Sequence, residues 1–429
     1  MKYSLNSLLQ KQSFLIFWCI IAAFGTYFCM YAFRKPFNTG LYEGYVLFGL
    51  SYKTLLIITQ VLGYMISKFL GIKIISELRP NKRILLIISL ILISEFALVL
   101  FGLVPFPYNW TFMLLNGLPL GMVWGVIFSF LEGRRITEFI SVGLSINLVM
   151  GSGILKTIYL TIKDLTQISE FWMPAFIGLI FLPIFNFFVW MLAKIPPPTM
   201  QDLLLRNKRE PMTKIKKNAL LKDFSIGFWA IVLIYMLLTT MRDFRDNFSV
   251  EIWKSLDVVF DKNTFAQTEM IIGFFVLLML ISVGFVKNNE KAFVYVQVLI
   301  LFGILACGTS TWLFQKGNIS AYNWMILLGI SFFLPYLIIQ TLYFERFIAV
   351  FNLNANAGFF VYICDSMGYL GSIFLMFYRE FFMKELSLVN ILINLSYGIL
   401  GLCLALWIIS IWFFGRKQST EIQSPPHFI

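Results

Sequence analysis

Charge is scarce in this sequence. Asp, Glu, Lys and Arg make up 13% of its 429 residues, against roughly a quarter in a soluble globular chain, which excludes a water-facing surface of ordinary size. Histidine is scarcer still: His427 is the only one, so no His-based metal centre, catalytic triad or proton relay can be assembled within the apolar part of the chain. Five cysteines (Cys19, Cys29, Cys307, Cys364 and Cys403) all lie in apolar stretches without paired spacing, which argues against a disulfide framework and a zinc site. No nucleotide-binding motif is present, so ATP-driven work is not expected, and neither is a bound cofactor or metal. With no nucleophile beside a base and no ligand cluster, an enzyme is not expected either.

What remains is apolar. Hydrophobic residues account for 59% of the chain and its mean hydropathy is +0.81. Runs of about 17 to 25 apolar residues, the length that crosses a bilayer, recur from end to end and predict an all-α integral membrane protein. Twelve spans are read: 14–34, 50–69, 84–104, 111–131, 138–160, 172–193, 224–241, 268–286, 291–314, 322–344, 355–378 and 388–414. The first lacks a small-residue cleavage site after it, so it is read as retained. The 47 Phe and 18 Met are assigned to lipid-facing and interhelical packing.

Placing both termini in the cytoplasm puts the larger share of the 34 Lys and Arg on the inner side, in keeping with the positive-inside bias. Much of that excess lies in KIPPPTMQDLLLRNKREPMTKIKKNALLK (194–222), whose prolines and eight basic residues mark a linker. The expected organisation is an N-terminal six-helix bundle (1–193), the basic cytoplasmic linker (194–222), and a C-terminal six-helix bundle with a short tail (223–429). The net charge of +12 is thus spread along a membrane face and predicts contact with lipid, not nucleic acid. Six plus six spans is the layout of a two-half secondary transporter with its site between the halves, and the protein is expected to work as a monomer.

That layout directs attention to charges inside the spans, which normally face a cavity or a partner. Arg34 ends the first span in YAFRKPF and Arg242 ends the seventh in TTMRDF, one from each half. A guanidinium stays charged and offers a planar fork of donors, so two of them can clamp a carboxylate or phosphate. Tyr27 and Tyr31 stand seven and three residues before Arg34, on its helix face, and Tyr64 and Lys68 share a face of the second span. Lys35 either helps hold the anion or reaches outer water. Three further intramembrane charges are candidates: Glu95, for which pairing with a buried cation is favoured over carrying a proton, and Lys156 and Asp365, which are open between substrate contact and structure. Small-residue runs at 117–125, 151–153 and 368–371 predict close helix approach.

The stretches FGTYFCMYAFRKPF (24–37), GYMISKF (63–69) and MRDFRDNF (241–248) resemble motifs of the organophosphate:phosphate antiporters of the major facilitator superfamily, the group containing the glycerol-3-phosphate and hexose-phosphate transporters. The resemblance implies the twelve-helix major facilitator fold and alternating access. It implies a phosphate ester as the small anionic substrate, Arg34 and Arg242 as its phosphate-binding pair, and Tyr27, Tyr31, Lys35, Tyr64 and Lys68 as cavity residues. It departs at the fifth span, where that family carries a His and this chain has Leu148 or a near neighbour. The expected function is therefore secondary transport of a small organic anion across the inner membrane. The alternative is a transporter-like sensor that reports an external organophosphate through the 194–222 loop.

Overall fold

The computed structural model describes residues 8–9, 11–76, 78–131, 143–197, 220–256, 261–353, 355 and 357–423. The expected linker at 194–222 therefore lies almost wholly outside the described residues. Among the described residues, twelve helices are long and apolar enough to cross a membrane. They are α1 (Gln12–Ala32), α2 (Tyr52–Ser76), α3 (Arg83–Leu103), α4 (Thr111–Leu131), α5 (Asn147–Leu165), α6 (Met173–Ala193), α7 (Ser225–Asn247), α8 (Thr264–Gly284), α9 (Asn289–Gln315), α10 (Ala321–Val350), α11 (Ala357–Phe382) and α12 (Leu388–Gln423). The number matches the twelve spans read from sequence. The ends differ most at α12, which runs nine residues beyond the expected 414, at α2, seven beyond 69, and at α7 and α10, six beyond 241 and 344; the expected start of the fifth span at 138 lies outside the described residues.

As helices they satisfy most of their backbone polar groups internally, as lipid demands, and their packing divides into two sets. Within α1–α6, α2 packs along α4, α4 against α3 and α1 against α6; within α7–α12, α7 lies between α11 and α12 and α9 packs on α10 and α12. The two sets meet where α5 packs on α8 and α2 on α11. Glycines set the closest approaches. A Cβ on Gly117 would fall 2.2 Å from the Gln60 carbonyl oxygen, and one on Gly121 2.6 Å from Ser67 and from the Tyr64 carbonyl, so the α2–α4 contact is nearly backbone to backbone. Gly153 plays the same part between the sets, against the Phe265 carbonyl at 2.5 Å, and Gly368 does so between α11 and Thr239 of α7.

Between α1 and α2 the chain makes a buried 3-10 turn (Pro36–Thr39) and a short ribbon in which Val46 pairs with Ser51 and Leu47 with Leu50. The two residues at its tip, Phe48 and Gly49, both have positive φ, the backbone of a tight two-residue hairpin. Within α10, Pro335 precedes a π-helical stretch, Ile339–Tyr343. That widened turn is largely buried, with the Tyr343 hydroxyl bonded to Gln297 of α9. All five cysteines are buried and none forms a disulfide.

Candidate functional site

Arg34 does not sit inside the first helix as its sequence position suggested. The helix ends at Ala32, and two last bonds, Arg34 N–H and Lys35 N–H to the Tyr31 carbonyl, carry the chain to Pro36, which has no N–H to continue the ladder. The segment is nonetheless deep. Gln60 of α2 donates to the Arg34 carbonyl at 3.0 Å, and Asn116 of α4 donates to the Phe33 carbonyl at 3.0 Å. The guanidinium lies 4.0 Å above the ring of Tyr64, twelve residues or about 18 Å along α2, which is close to that helix's middle.

Arg34 is only 7% exposed, makes no ion pair among the described residues, and its Nε has no hydrogen-bond partner. Burying a cation unpaired costs several kcal/mol. Arg242 mirrors Arg34 from the other set of helices. Its guanidinium stacks on Tyr336 at 4.4 Å, near the middle of α10, but it is already held by Asp243 Oδ1 through Nε (3.0 Å) and Nη2 (2.7 Å). Ser372 of α11 donates to the other Asp243 oxygen at 2.7 Å.

Both arginines line one small cavity between the two sets of helices. Lys35, Tyr31 and Tyr369 line it with them, as do Arg245 and the acids Asp243, Asp246 and Glu269. Its walls thus offer four cations, three of which have acidic partners: Lys35 with Asp246 (2.5 Å), Arg242 with Asp243, and Arg245 with Glu269 (2.6 Å). Arg34 is the remaining one.

The other candidates divide around this cavity. Tyr64 serves as the floor of Arg34, and Tyr27 packs edge-on against Tyr31 with ring centres 5.4 Å apart. Lys35 is buried in its ion pair and does not reach outer water. Lys156 donates to Asp246 Oδ1 at 2.6 Å, behind the cavity wall. Lys68 and Asp365, from α2 and α11, pair with each other at 3.1 Å, and Tyr235 of α7 donates to Asp365 at 2.6 Å; neither lines the cavity. Glu95 contradicts its expected pairing: both carboxyl oxygens are buried with no hydrogen-bond partner among the described residues, because α4 and α6, the helices packed on α3, bring no cation to it.

Asp246 was not anticipated, although it stands in the quoted MRDFRDNF one turn beyond Arg242. It takes Lys35, Lys156 and the Ser152 hydroxyl (2.5 Å), all from the α1–α6 side. It heads a series of contacts between the sets at the end of the bundle opposite the described terminal helices' outer ends. The others are Asn38 to Asn247 (2.6 Å), Lys53 to Glu251 of the short helix Ser249–Ser255 (2.5 Å), and Ser51 and Thr54 to Glu380 (2.8 and 2.7 Å).

Twelve membrane-length helices in this arrangement define the major facilitator fold, and solved structures agree. The chain is similar to the nucleoside transporter NupG (TM-score 0.62, 15% identity, covering 92% of this chain and 98% of that one). It is also similar to a D-xylose-proton symporter (0.60, 14%, 92% and 96%) and to the POT family transporter PepTSo (0.57, 13%, 96% and 99%). At such identities the likeness is one of fold. No curated protein matches the chain in sequence. The model of a family of unknown function, DUF5690, matches residues 36–417, and the chain belongs to that family.

Proposed function

We propose that this protein carries a small organic anion across a membrane by alternating access, with Arg34 as the principal anion-binding group and Arg242 facing it from the other set of helices. The observation that supports this most is Arg34 itself: a buried guanidinium at mid-bundle depth, with no acidic partner among the described residues, in a cavity shared by both sets. The cavity's location, and neighbours described as a nucleoside transporter, a D-xylose-proton symporter and a POT family transporter, favour transport over enzymatic work. The resemblance of the three motifs to the organophosphate:phosphate antiporters favours a phosphate ester as cargo. In that reading the protein sits in the inner membrane with both termini in the cytoplasm and functions as a monomer. The six-helix bundles would be 1–193 and 223–429.

The cycle follows from the contacts. An anion bound to Arg34 draws Arg242 into a second set of charge-assisted bonds, and the state that allows both is favoured by the difference in its affinity. The test is uptake of radiolabelled glycerol 3-phosphate by liposomes containing the purified protein and preloaded with unlabelled ester. Arg34→Lys and Arg242→Lys keep the charge and lose the fork, and each is expected to cut the rate at least tenfold. Undiminished uptake by both variants would overturn the clamp. Binding without any uptake would make the protein a sensor.

A further inference from the structure

Ser94 and Glu95 stand side by side on α3 and have opposite surroundings. Ser94 belongs to a closed polar network. Asn116 donates to the Ser94 hydroxyl at 2.7 Å and to the Phe33 carbonyl, while Gln60 donates to Asn116 Oδ1 at 2.6 Å and to the Arg34 carbonyl. Glu95 has no share in it. It is 5% exposed, neither oxygen has a partner among the described residues, and one oxygen lies where a Cβ on Gly178 of α6 would come within 1.9 Å, beside the ring of Phe33.

Among the described residues, nothing charged faces it. Neither α4 nor α6 contains an Asp, Glu, Lys, Arg, His, Tyr or Cys. On α3 the other charged residue is Arg83, twelve positions or about 18 Å away along the helix. α1 contributes only Tyr27, Tyr31, Cys19 and Cys29 as titratable groups. Of the two cations that follow it, Lys35 is paired with Asp246 and Arg34 is stacked on Tyr64. An ionised carboxylate in such a place costs many times more than the neutral acid.

We propose that Glu95 is a proton-binding site of this protein, which holds its proton while α3 and α6 are packed together and releases it only when they part. The proton leaves as a hydrated proton, and the carboxylate left behind takes hydrogen bonds from the water that enters between the helices. The site is separate from the cavity, so a proton and an anion can be bound at once. The adjacent Ser94–Asn116–Gln60 network, which grips the carbonyls of Phe33 and Arg34, joins the two places. The inference stands whatever the cavity holds.

Infrared spectroscopy of the full-length protein in lipid nanodiscs tests it without any ligand. The carbonyl band of a protonated carboxylic acid is expected in the wild type at neutral pH and is expected to be missing in Glu95→Gln. Spin labels at Phe96→Cys and Leu179→Cys, on the exposed faces of α3 and α6, are expected to separate as the band disappears on raising the pH, and to stay fixed in Glu95→Gln. Should the glutamine variant not accumulate, Glu95→Asp serves through a shifted band. Identical carbonyl regions in wild type and variant would overturn the proposal, and so would loss of the band with no change in the label separation.

Discussion

At the scale of single residues, the structure separates charges that are satisfied from two buried groups with no ion-pair partner among the described residues, Arg34 and Glu95. The nine candidate residues were chosen because polar groups are rare in apolar helices, and four of them, Arg34, Arg242, Lys35 and Tyr31, line one cavity. That rule could not say which acid Lys35, Lys156 and Arg245 meet, because Asp246 and Glu269 reach them through tertiary packing. Outside the membrane, Glu170 in the loop before α6 accepts from Lys163 Nζ (2.6 Å) and from the Tyr42 amide (2.8 Å), tying the α1–α2 loop to the α5–α6 loop. Burial alone would raise this carboxyl's pKa, but the hydrogen bonds from Lys163 and Tyr42 outweigh it and hold the pKa below its usual value. A lowered folded-state pKa stabilises above the unfolded value of about 4.3 and ceases to do so as the pH falls through the folded one. Glu170→Gln is therefore expected to cost about 1 kcal/mol at neutral pH, and the gap between its unfolding curve and the wild type's is expected to close below about pH 4.

At the scale of elements, the twelve spans were legible because a bilayer imposes length, and the glycine runs because close crossings need small residues. The end of α1 was misread by two residues, although Pro36 marked it, and the π-helical turn in α10 left no signal in the sequence beyond the proline four residues before it. The α2–α4 crossing makes a sharp prediction. Even one methyl at Gly117 meets backbone at 2.2 Å, and the helices must separate to admit it. Gly117→Ala is expected to destabilise by about 1–3 kcal/mol, seen as a lower melting temperature in detergent. Gly398→Ala in α12, where a Cβ meets nothing within 4 Å, is expected to be silent.

At the scale of the whole molecule, the fastening between the two sets of helices is uneven along the membrane normal. The contacts around Asp246, Asn247, Glu251 and Glu380 close one end, while Lys68–Asp365 and the ring contact of Tyr64 with Tyr369 (5.2 Å) lie deeper. Asp246 is shared by two buried lysines, and removing its charge leaves both uncompensated, at a cost of about 3 kcal/mol or more. Asp246→Asn is therefore expected to open that end. Disulfide formation between cysteines at Asn38 and Asn247 should drop several-fold in its background; an unchanged yield would show that the remaining contacts suffice to hold the end shut.

The five native thiols lie wholly inside the helix packing. A maleimide added from water thus meets no reactive sulfur in the folded chain, and a cysteine placed on either rim of the bundle would report that rim's accessibility alone, with the natural sequence as its own silent background.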